Sequence, residues 1–326
     1  MRQTRQHSTG GEARAHVGAK SSLYDDVTEQ IVRELEAGAV PWVKPWASSG
    51  APLGMPRSAA TRRAYSGINV LILWDALLRR GYASQEWFTF RQALSLGGNV
   101  RKGERGVTIC YADSFVPRGE RENTGQGDDE PRRVPFLKRF VVFNIEQCEG
   151  LPPAIVAPPK PIAADEQHRA AEALIAATGA VIRIGGGEAY YHPREDFIRM
   201  PPARDFLSAA DFYCTILHEL CHWSAHPSRL NRELTRFGDQ AYAREELIAE
   251  LCSAFLCAHL GIVPQVRHAG YLDHWLKILK SDSRAIFHAA SQASKAADFL
   301  LGLQQAPEQP STDTTFVSSS DHQTGG

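Results

Sequence analysis

The feature that most constrains the fold is a pair of histidines inside an apolar helical segment. Residues 218–222 read HELCH, and the apolar run AADFYCTIL precedes them. Residues four apart on an α-helix share one face, so the imidazoles of His218 and His222 stack and can bind one metal ion. A buried helix carries unpartnered polar side chains only at a large desolvation cost. The segment therefore predicts a buried helix that holds a metal.

Glu219 lies about 100° around the helix from His218, within reach of a reacting water without being a ligand. We expect it to act as general base, taking a proton from the attacking water and delivering it to the leaving amine. Zinc is the expected metal, although manganese or cobalt can enter such a site. The extended metzincin motif requires Gly at 225 and His at 228. Ala225 and Ser228 exclude that class.

A catalytic metal site needs a third protein ligand, and the next helical segment reads EELIAE from position 245. We expect Glu246 to be this ligand, with Glu245 as the alternative. Glu250, one turn beyond Glu246, is expected to hydrogen-bond the free ring nitrogen of a ligand histidine. The pattern resembles the third-ligand helix of gluzincin metallopeptidases.

The sequence also suggests roles for other side chains near these two helical segments. His226 precedes Pro227 and is expected to cap the end of its helix, and His259 is expected to be a core histidine. A strand within 189–200 is expected to be the edge along which a substrate peptide lies, by analogy with zincin architecture. The sequence does not separate four candidates for stabilising a transition state: Tyr190, Tyr191, His192 and Tyr242.

The composition is that of a globular protein, with 43% hydrophobic and 22% charged residues and a net charge of −1 over 326 residues. No apolar run is long enough to span a membrane, and residues 1–21 lack the apolar centre of a secretory signal. We therefore expect a cytoplasmic protein. None of the six cysteines forms a C-x-x-C pair. They are expected to be small buried side chains rather than disulfides or zinc ligands.

Two expected domains follow from the distribution of proline and polar residues. A Pro-rich linker at 151–164 separates a domain at 22–150 from a domain at 165–303. The tails at 1–21 and 304–326 are expected to be disordered, and a polar loop at 117–133 is expected to be unstructured.

Apolar spacing predicts the secondary structure of both domains. In the first domain it predicts helices at 24–39, 69–80 and 84–96, followed by strands at 107–116 and 136–145. In the second domain it predicts strands at 181–184 and within 189–200, and helices at 165–178, 208–226, 241–260 and 271–303. The last helix is either continuous or broken near 281–283. The predicted fold class is α+β.

The first half combines cations with aromatic rings, the mixture that single-stranded-DNA binders use for phosphates and stacked bases. Residues 1–150 hold 21 Lys and Arg against 17 Asp and Glu. Trp74 and Phe88 are expected in the core. Core packing is also the alternative for Trp42 and Trp46, and a solvated basic turn is the alternative for 100–106. The expected DNA contacts are Trp42, Lys44, Trp46, Arg57, Arg63, Tyr65, Trp87, Arg91, Arg101 and Lys102.

The order of the motifs resembles that of plasmid-borne antirestriction proteins of the ArdC type, which are related to the N-terminal part of plasmid TraC-type primases. The resemblance covers residues 22–303. It rests on YDDVTEQIVRELEAGAVPWVKPW, YSGINVLILW, WFTFRQALSLGGNVRKGERG, FLKRFVVFNIEQCEGLP, AYYHPREDFIRMPP, TILHELCHWSAHPSRLNR and YAREELIAELCSAFL. It implies a single-stranded-DNA-binding domain followed by a zincin-like metallopeptidase domain, and protection of incoming conjugative DNA from host restriction. It also implies metal binding by His218, His222 and Glu246, with Glu219 as base.

Three functions remain open at this point. The chain is a zinc peptidase recruited to DNA, or a DNA-coating protein whose zincin domain is a metal-stabilised scaffold, or a protease that single-stranded DNA activates against DNA-bound proteins. The presence of Glu219 favours retained chemistry, because a purely structural metal site has no need of a base.

Overall fold

A computed structural model describes residues 22–43, 53–115, 134–156, 162–234, 240–263 and 271–304. The expected tails, apart from Gln304, and the polar loop at 117–133 lie outside these residues. So do Lys44, Trp46 and positions 157–161 of the expected linker. In the described part of the chain, no helix is long and apolar enough to cross a membrane.

The N-terminal half combines short helices with a four-stranded sheet. Its elements are α1 (Leu23–Glu36), β1 (Arg57–Ser58), α2 (Ile68–Arg80), β2 (Glu86–Thr89), α3 (Phe90–Ser95), β3 (Asn99–Val100), β4 (Val107–Phe115), β5 (Val134–Asn144) and β6 (Cys148–Glu149). The sheet order is β1-β2-β5-β4, and β3 pairs separately with β6. The predicted helices at 24–39 and 69–80 and both predicted long strands are confirmed.

The predicted helix at 84–96 was wrong in its first half, which forms strand β2 before α3 begins. Trp87 and Phe88 are both fully buried, because β2 lies between β1 and β5 and packs side chains on both faces. Helix α3 begins after Thr89, whose hydroxyl accepts the N–H of Gln92 while the Gln92 side chain accepts the N–H of Thr89. Two successive aromatic residues that need burial on opposite faces favour a strand over a helix.

The C-terminal half is mainly helical and contains one small mixed sheet. Its elements are α4 (Pro153–Val156), α5 (Ala164–Thr178), β7 (Val181–Ile184), β8 (Tyr190–His192), β9 (Phe197–Met200), α6 (Ala209–Ser224), α7 (Gln240–Leu260), α8 (Leu272–Ser281) and α9 (Ala285–Leu303). The sheet order is β7-β9-β8. The stretch 271–303 is two helices, the second of the two predicted alternatives. The α+β class is confirmed.

One hydrophobic core joins the two halves. The ring centroid of Trp42 lies 5.9 Å from that of Trp275, and the centroid of Trp74 lies 5.7 Å from that of Phe255. Trp42 and Trp74 belong to the N-terminal half, and their partners belong to α8 and α7. Trp74 and Phe88 are 1% and 0% exposed, which confirms their expected place in the core.

Polar contacts reinforce this junction between the halves. The Thr28 hydroxyl on α1 donates to the carbonyl of Ser283 at 2.7 Å. The N–H of Gly67, before α2, donates to the hydroxyl of Ser294 on α9 at 2.7 Å. Each bond joins an N-terminal helix, or the residue before it, to the region of the two C-terminal helices.

The cysteines are packing residues, as predicted. All six are free thiols, and all but the half-buried Cys148 are buried. The Sγ atoms of Cys214 and Cys257 meet at 3.3 Å between α6 and α7, where small side chains allow the two helices to approach closely.

We predict that Trp42→Ala lowers the free energy of unfolding by about 3–5 kcal/mol, because it leaves a cavity in the core shared by both halves. Urea unfolding followed by circular dichroism measures this loss. The control is Phe90→Ala, which removes a ring that is 48% exposed and should change the free energy by less than about 0.5 kcal/mol. Equal small effects of the two substitutions would contradict the packing of Trp42.

Candidate metal centre

Helix α6 carries the HELCH motif through a buried part of the C-terminal half. Its first turn is capped by Ser208, whose hydroxyl accepts a backbone N–H at 3.1 Å. His218, Glu219 and His222 are 5%, 7% and 8% exposed. Helix α7 packs against α6 and places Glu246, 4% exposed, beside them. The predicted site residues therefore meet in the interior rather than on a solvated face.

The side chains of His218, His222 and Glu246 converge on one point. The two Nε2 atoms are 3.1 Å apart, and the Glu246 carboxylate oxygens lie 3.5 Å from Nε2 of His218 and 3.4 Å from Nε2 of His222. Donor atoms bound tetrahedrally at about 2.0–2.1 Å from an ion stand about 3.3 Å from one another. The three side chains thus have the spacing and donor types that fit a divalent cation.

Burial strengthens the electrostatics of this cluster. Burial alone would raise the pKa of Glu246, but the two histidines outweigh it and hold that pKa well below its usual value. Burial alone would lower the pKa of His222, but Glu245 and Glu246 outweigh it and hold that pKa well above its usual value. The carboxylates therefore create a negative environment that favours a cation at the histidine nitrogens.

Glu245 orients the ring of His222 from the side opposite Nε2. Its carboxylate lies 3.4 Å from Nδ1 of His222 and accepts two hydrogen bonds from the Arg232 guanidinium at 2.8 and 3.2 Å. Arg232 also donates to the Ser224 hydroxyl at 3.0 Å. A carboxylate at Nδ1 fixes the tautomer that leaves Nε2 free for a metal. The sequence assigned this role to Glu250, and for His222 the structure assigns it to Glu245.

A cavity of about 850 Å³ opens beside the cluster. Glu250 lines this cavity, and its expected hydrogen bond to a histidine stays a prediction. Glu219 also lines it, and within the described residues its carboxylate has no hydrogen-bond partner. Its oxygens are not among the fully buried unpartnered atoms, so the carboxylate is accessible from the cavity. The place of Glu219 is therefore suited to receiving a proton.

A network of hydrogen bonds anchors β8, a strand that lines the cavity. The Tyr191 hydroxyl on β8 donates to Asp196 at 2.8 Å and accepts from Arg229 at 3.2 Å. Arg229 also stacks on the ring of Trp223, with its guanidinium carbon 3.8 Å from the ring centroid. Arg229 holds the pKa of Asp196 below its usual value by hydrogen bonding. These contacts tie β8 to the end of α6, next to His222.

The structure separates the candidates for transition-state stabilisation. The hydroxyl of Tyr191 is engaged as described above. Tyr190 and His192 pack their rings against a neighbouring ring of the same sheet. Tyr242 lines the cavity with its hydroxyl 3.5 Å from that of Tyr271, and it also interacts with Glu246. Tyr242 is therefore the candidate that lies beside a metal donor.

The other two histidines to which the sequence gave a role lie at helix ends. His226 lies beyond Ala225, the C-cap residue of α6, and its Nδ1 contacts the hydroxyl of Ser228 at 2.7 Å, so its capping role stays a prediction. His259 is exposed near the end of α7, so its prediction as a core histidine was wrong.

The burial of two tryptophans contradicts their prediction as DNA contacts. Trp42 and Trp87 are both 0% exposed, so neither ring has a face free for a base. Trp42 packs on Trp275, and Trp87 packs edge-on against Tyr82 at 5.9 Å.

The other expected DNA contacts differ in exposure. Arg57 and Tyr65 are half-buried, and Arg57 lies 3.5 Å from Glu86. Arg101 is exposed but paired with Glu104 at 2.8 Å. Those that are exposed are Arg63, Arg91, Arg101 and Lys102.

The sequence did not identify an exposed aromatic pair on β4 and β5. Tyr111 and Phe140 are 52% and 42% exposed, and their rings meet edge to face at 6.1 Å. Lys138 pairs directly with Tyr111 across the two strands and is also exposed, so the two side chains share one face. The alternation of apolar and polar residues along the two strands did not predict this exposed pair, because it does not show where the strands extend beyond the core.

Comparison with known families matches each half of the chain. The N-terminal domain of anti-restriction factor ArdC matches residues 21–143, and a family of zincin-like metallopeptidases matches residues 169–292. The two matches confirm the predicted two-domain organisation. The bounds 22–150 and 165–303 stay predictions.

Individual proteins extend this similarity over most of the chain. The crystal structure of the antirestriction protein ArdC from plasmid R388, in its metal-free form, is 44% identical, with a TM-score of 0.72 over 87% of this chain and 98% of that one. Its Mn(II)-bound form is 42% identical with a TM-score of 0.71, over the same shares of the two chains. The protein y4eC of Sinorhizobium fredii is 39% identical over 87% of this chain and 93% of its own length. A DNA primase TraC of Escherichia coli is 38% identical over 90% of this chain, which spans only 28% of the primase.

We predict that Glu245→Gln weakens divalent-metal binding about 10–100-fold, because His222 loses the carboxylate that orients its ring. Titration with Zn²⁺ against a chelating dye measures the affinity. Glu195→Gln is the matched control, since Glu195 is exposed and lies away from the cavity. An unchanged affinity in folded Glu245→Gln protein would contradict the role of Glu245.

Proposed function

The chain belongs to the ArdC family of antirestriction proteins, and on that premise we propose a two-part function for it. The N-terminal half binds single-stranded DNA, and the C-terminal half carries a divalent-metal centre of the peptidase type. Together they protect incoming DNA from host restriction. The observation that carries the proposal is the cluster of three metal donors beside the buried, unbonded carboxylate of Glu219.

At the metal centre, His218, His222 and Glu246 hold the ion. The Mn(II)-bound structure of the R388 protein supports a divalent ion, and we propose zinc, with manganese or cobalt as substitutes. Such an ion supplies a positive charge that polarises the scissile carbonyl and acidifies a water molecule. Glu219 accepts the proton of the attacking water on its carboxylate and passes it to the leaving nitrogen. Its burial limits competition from bulk solvent.

Tyr242 donates a hydrogen bond to the oxygen on which negative charge develops. It lies one helical turn before Glu246 on α7, so its hydroxyl reaches the cavity beside the metal donors. The Tyr271 hydroxyl, 3.5 Å away, holds it in place. Tyr191 is less suited to this role, since Asp196 and Arg229, which engage its hydroxyl, do not line the cavity, whereas Tyr242 contacts Glu246.

Strand β8 offers the substrate a backbone edge. Among the described strands it pairs only with β9, and its residues Tyr190 and Tyr191 line the cavity. An extended polypeptide adds to such an edge through main-chain hydrogen bonds. The anchoring of Tyr191 through Arg229 keeps this edge rigid relative to α6.

Single-stranded DNA binds the face of β4 and β5 that carries Tyr111 and Phe140. Exposed rings stack on bases of any sequence, and nearby cations neutralise phosphates. Lys138 lies on the same face as Tyr111, and Arg63, Arg91 and Lys102 add exposed positive charge to the N-terminal half. The matches to ArdC and to the TraC primase support a DNA partner.

We predict that Glu219→Gln slows cleavage of casein, used as an unstructured probe, by about 10²–10⁴-fold, because it removes the proton acceptor. Metal content and affinity for single-stranded DNA should match the wild type. The variant is then tested for protection of transferred DNA against restriction in cells.

Loss of protection with Glu219→Gln would assign the antirestriction effect to proteolysis. Full protection would favour the second candidate function, in which DNA coating protects the strand and the metal centre only stabilises the fold. Casein cleavage that survives in Glu219→Gln would contradict the assignment of Glu219 as base.

We predict that Tyr111→Ala with Phe140→Ala weakens binding of a labelled single-stranded oligonucleotide, since each lost stacking contact costs about 1–3 kcal/mol. Fluorescence anisotropy at one fixed salt concentration measures it. Tyr190→Ala is the control, because it removes a ring of comparable exposure, 40%, from the C-terminal sheet. Unchanged affinity of the double variant would exclude this face.

A further inference from the structure

Among the described residues that line the cavity beside the metal donors, carboxylates outnumber basic side chains. None of its lining residues, as far as the chain is described, is a lysine or arginine. Five of them are glutamates, namely Glu188, Glu219, Glu245, Glu246 and Glu250. This negative wall contrasts with the N-terminal half, where positive residues exceed acidic ones.

The negative charge exceeds what the metal centre itself needs. A divalent ion would offset two carboxylates, and Arg232 already offsets Glu245 through two hydrogen bonds. Among the described lining residues, two carboxylate charges then remain beyond those that the ion and Arg232 offset. The metal ligand set therefore does not account for all of the acidic side chains that face the cavity.

The burial of these carboxylates reduces the screening of their negative charge by water. Glu219 and Glu250 are each 7% exposed, so little water screens them from a bound molecule. Glu188 is exposed in the connection before β8, and β8 is the strand proposed to hold the substrate. A cleft of one charge sign with low-dielectric walls attracts ligands of the opposite sign and repels those of its own sign.

We propose that this cavity takes a cationic polypeptide, with lysine or arginine side chains near the scissile bond, and that it excludes nucleic acid. The inference deepens the proposed function and rests on it. The acidic wall repels phosphates and draws in basic side chains. The two halves thus bind opposite charges: the N-terminal half holds the DNA, and the cavity receives basic segments of proteins on that DNA.

The test uses metal-loaded Glu219→Gln protein, which should consume a bound peptide about 10²–10⁴-fold more slowly and which keeps the carboxylates of Glu188 and Glu250 in the cavity. Three labelled peptides of equal length differ only in carrying lysine, glutamine or glutamate at the same positions, and fluorescence anisotropy measures their affinities. We expect the lysine peptide to bind about tenfold or more tightly than the glutamine peptide, as one poorly screened charge contact provides. The glutamate peptide should show no binding.

Charge variants locate the effect in the cavity. Glu188→Lys at the cavity mouth should reduce the lysine preference several-fold, and Glu250→Gln should reduce it further, with metal content measured in both. Glu195→Lys is the matched control, because it makes the same charge change on the exposed turn after β8, outside the cavity. It should leave the preference unchanged.

Equal binding of the lysine and glutamine peptides would overturn the proposal, and so would an equal loss in Glu188→Lys and Glu195→Lys. Cleavage by the wild-type protein is measured separately on casein and on the lysine peptide. Lysine-selective binding without any cleavage would support the cationic ligand and contradict the peptidase function. Cleavage without charge preference would support the peptidase and overturn the cationic substrate.

Discussion

The buried contact between α6 and α7 is the constraint on which the C-terminal half depends. Two histidines and four glutamates are buried on these two helices, among apolar side chains, cysteines, serines and a threonine, and each charge there needs a partner. Arg232 meets Glu245, Glu245 meets Nδ1 of His222, and the two Nε2 atoms face Glu246. A cation at that last position completes the compensation. The same packing leaves the Glu219 carboxylate facing the cavity without a hydrogen-bond partner among the described residues.

A row of aromatic rings connects this centre to the N-terminal half. Trp42 packs on Trp275, Trp275 stacks on Tyr271, and the Tyr271 hydroxyl meets Tyr242 at the cavity wall. The indole N–H of Trp275 also donates to the carbonyl of Ala243 on α7 at 3.2 Å. The half proposed to bind DNA therefore packs against one wall of the metal cleft. The two proposed activities thus belong to halves that share one continuous hydrophobic core.

The sequence predicted the features of the site that depend on residues close together in the chain. HELCH and EELIAE identified both helices of the centre, because four-residue spacing fixes which side chains share a face. Spacing could not decide between Glu245 and Glu250 as the partner of His222, since this depends on how α7 is rotated against α6. Arg232 gave no signal as a single arginine in a loop. Trp42 and Trp87 were misassigned because burial depends on partners distant in sequence, and Trp275 follows Trp42 by more than two hundred residues.

The central claim is that a divalent metal is bound between α6 and α7 by three side chains. Anomalous diffraction from crystals of the zinc-loaded protein tests it most directly. The account predicts one strong peak about 2.0–2.2 Å from Nε2 of His218, Nε2 of His222 and a Glu246 oxygen, with Glu219 and Glu245 outside bonding distance. A peak bonded to Glu245 in place of Glu246, or no peak between these helices, would contradict it.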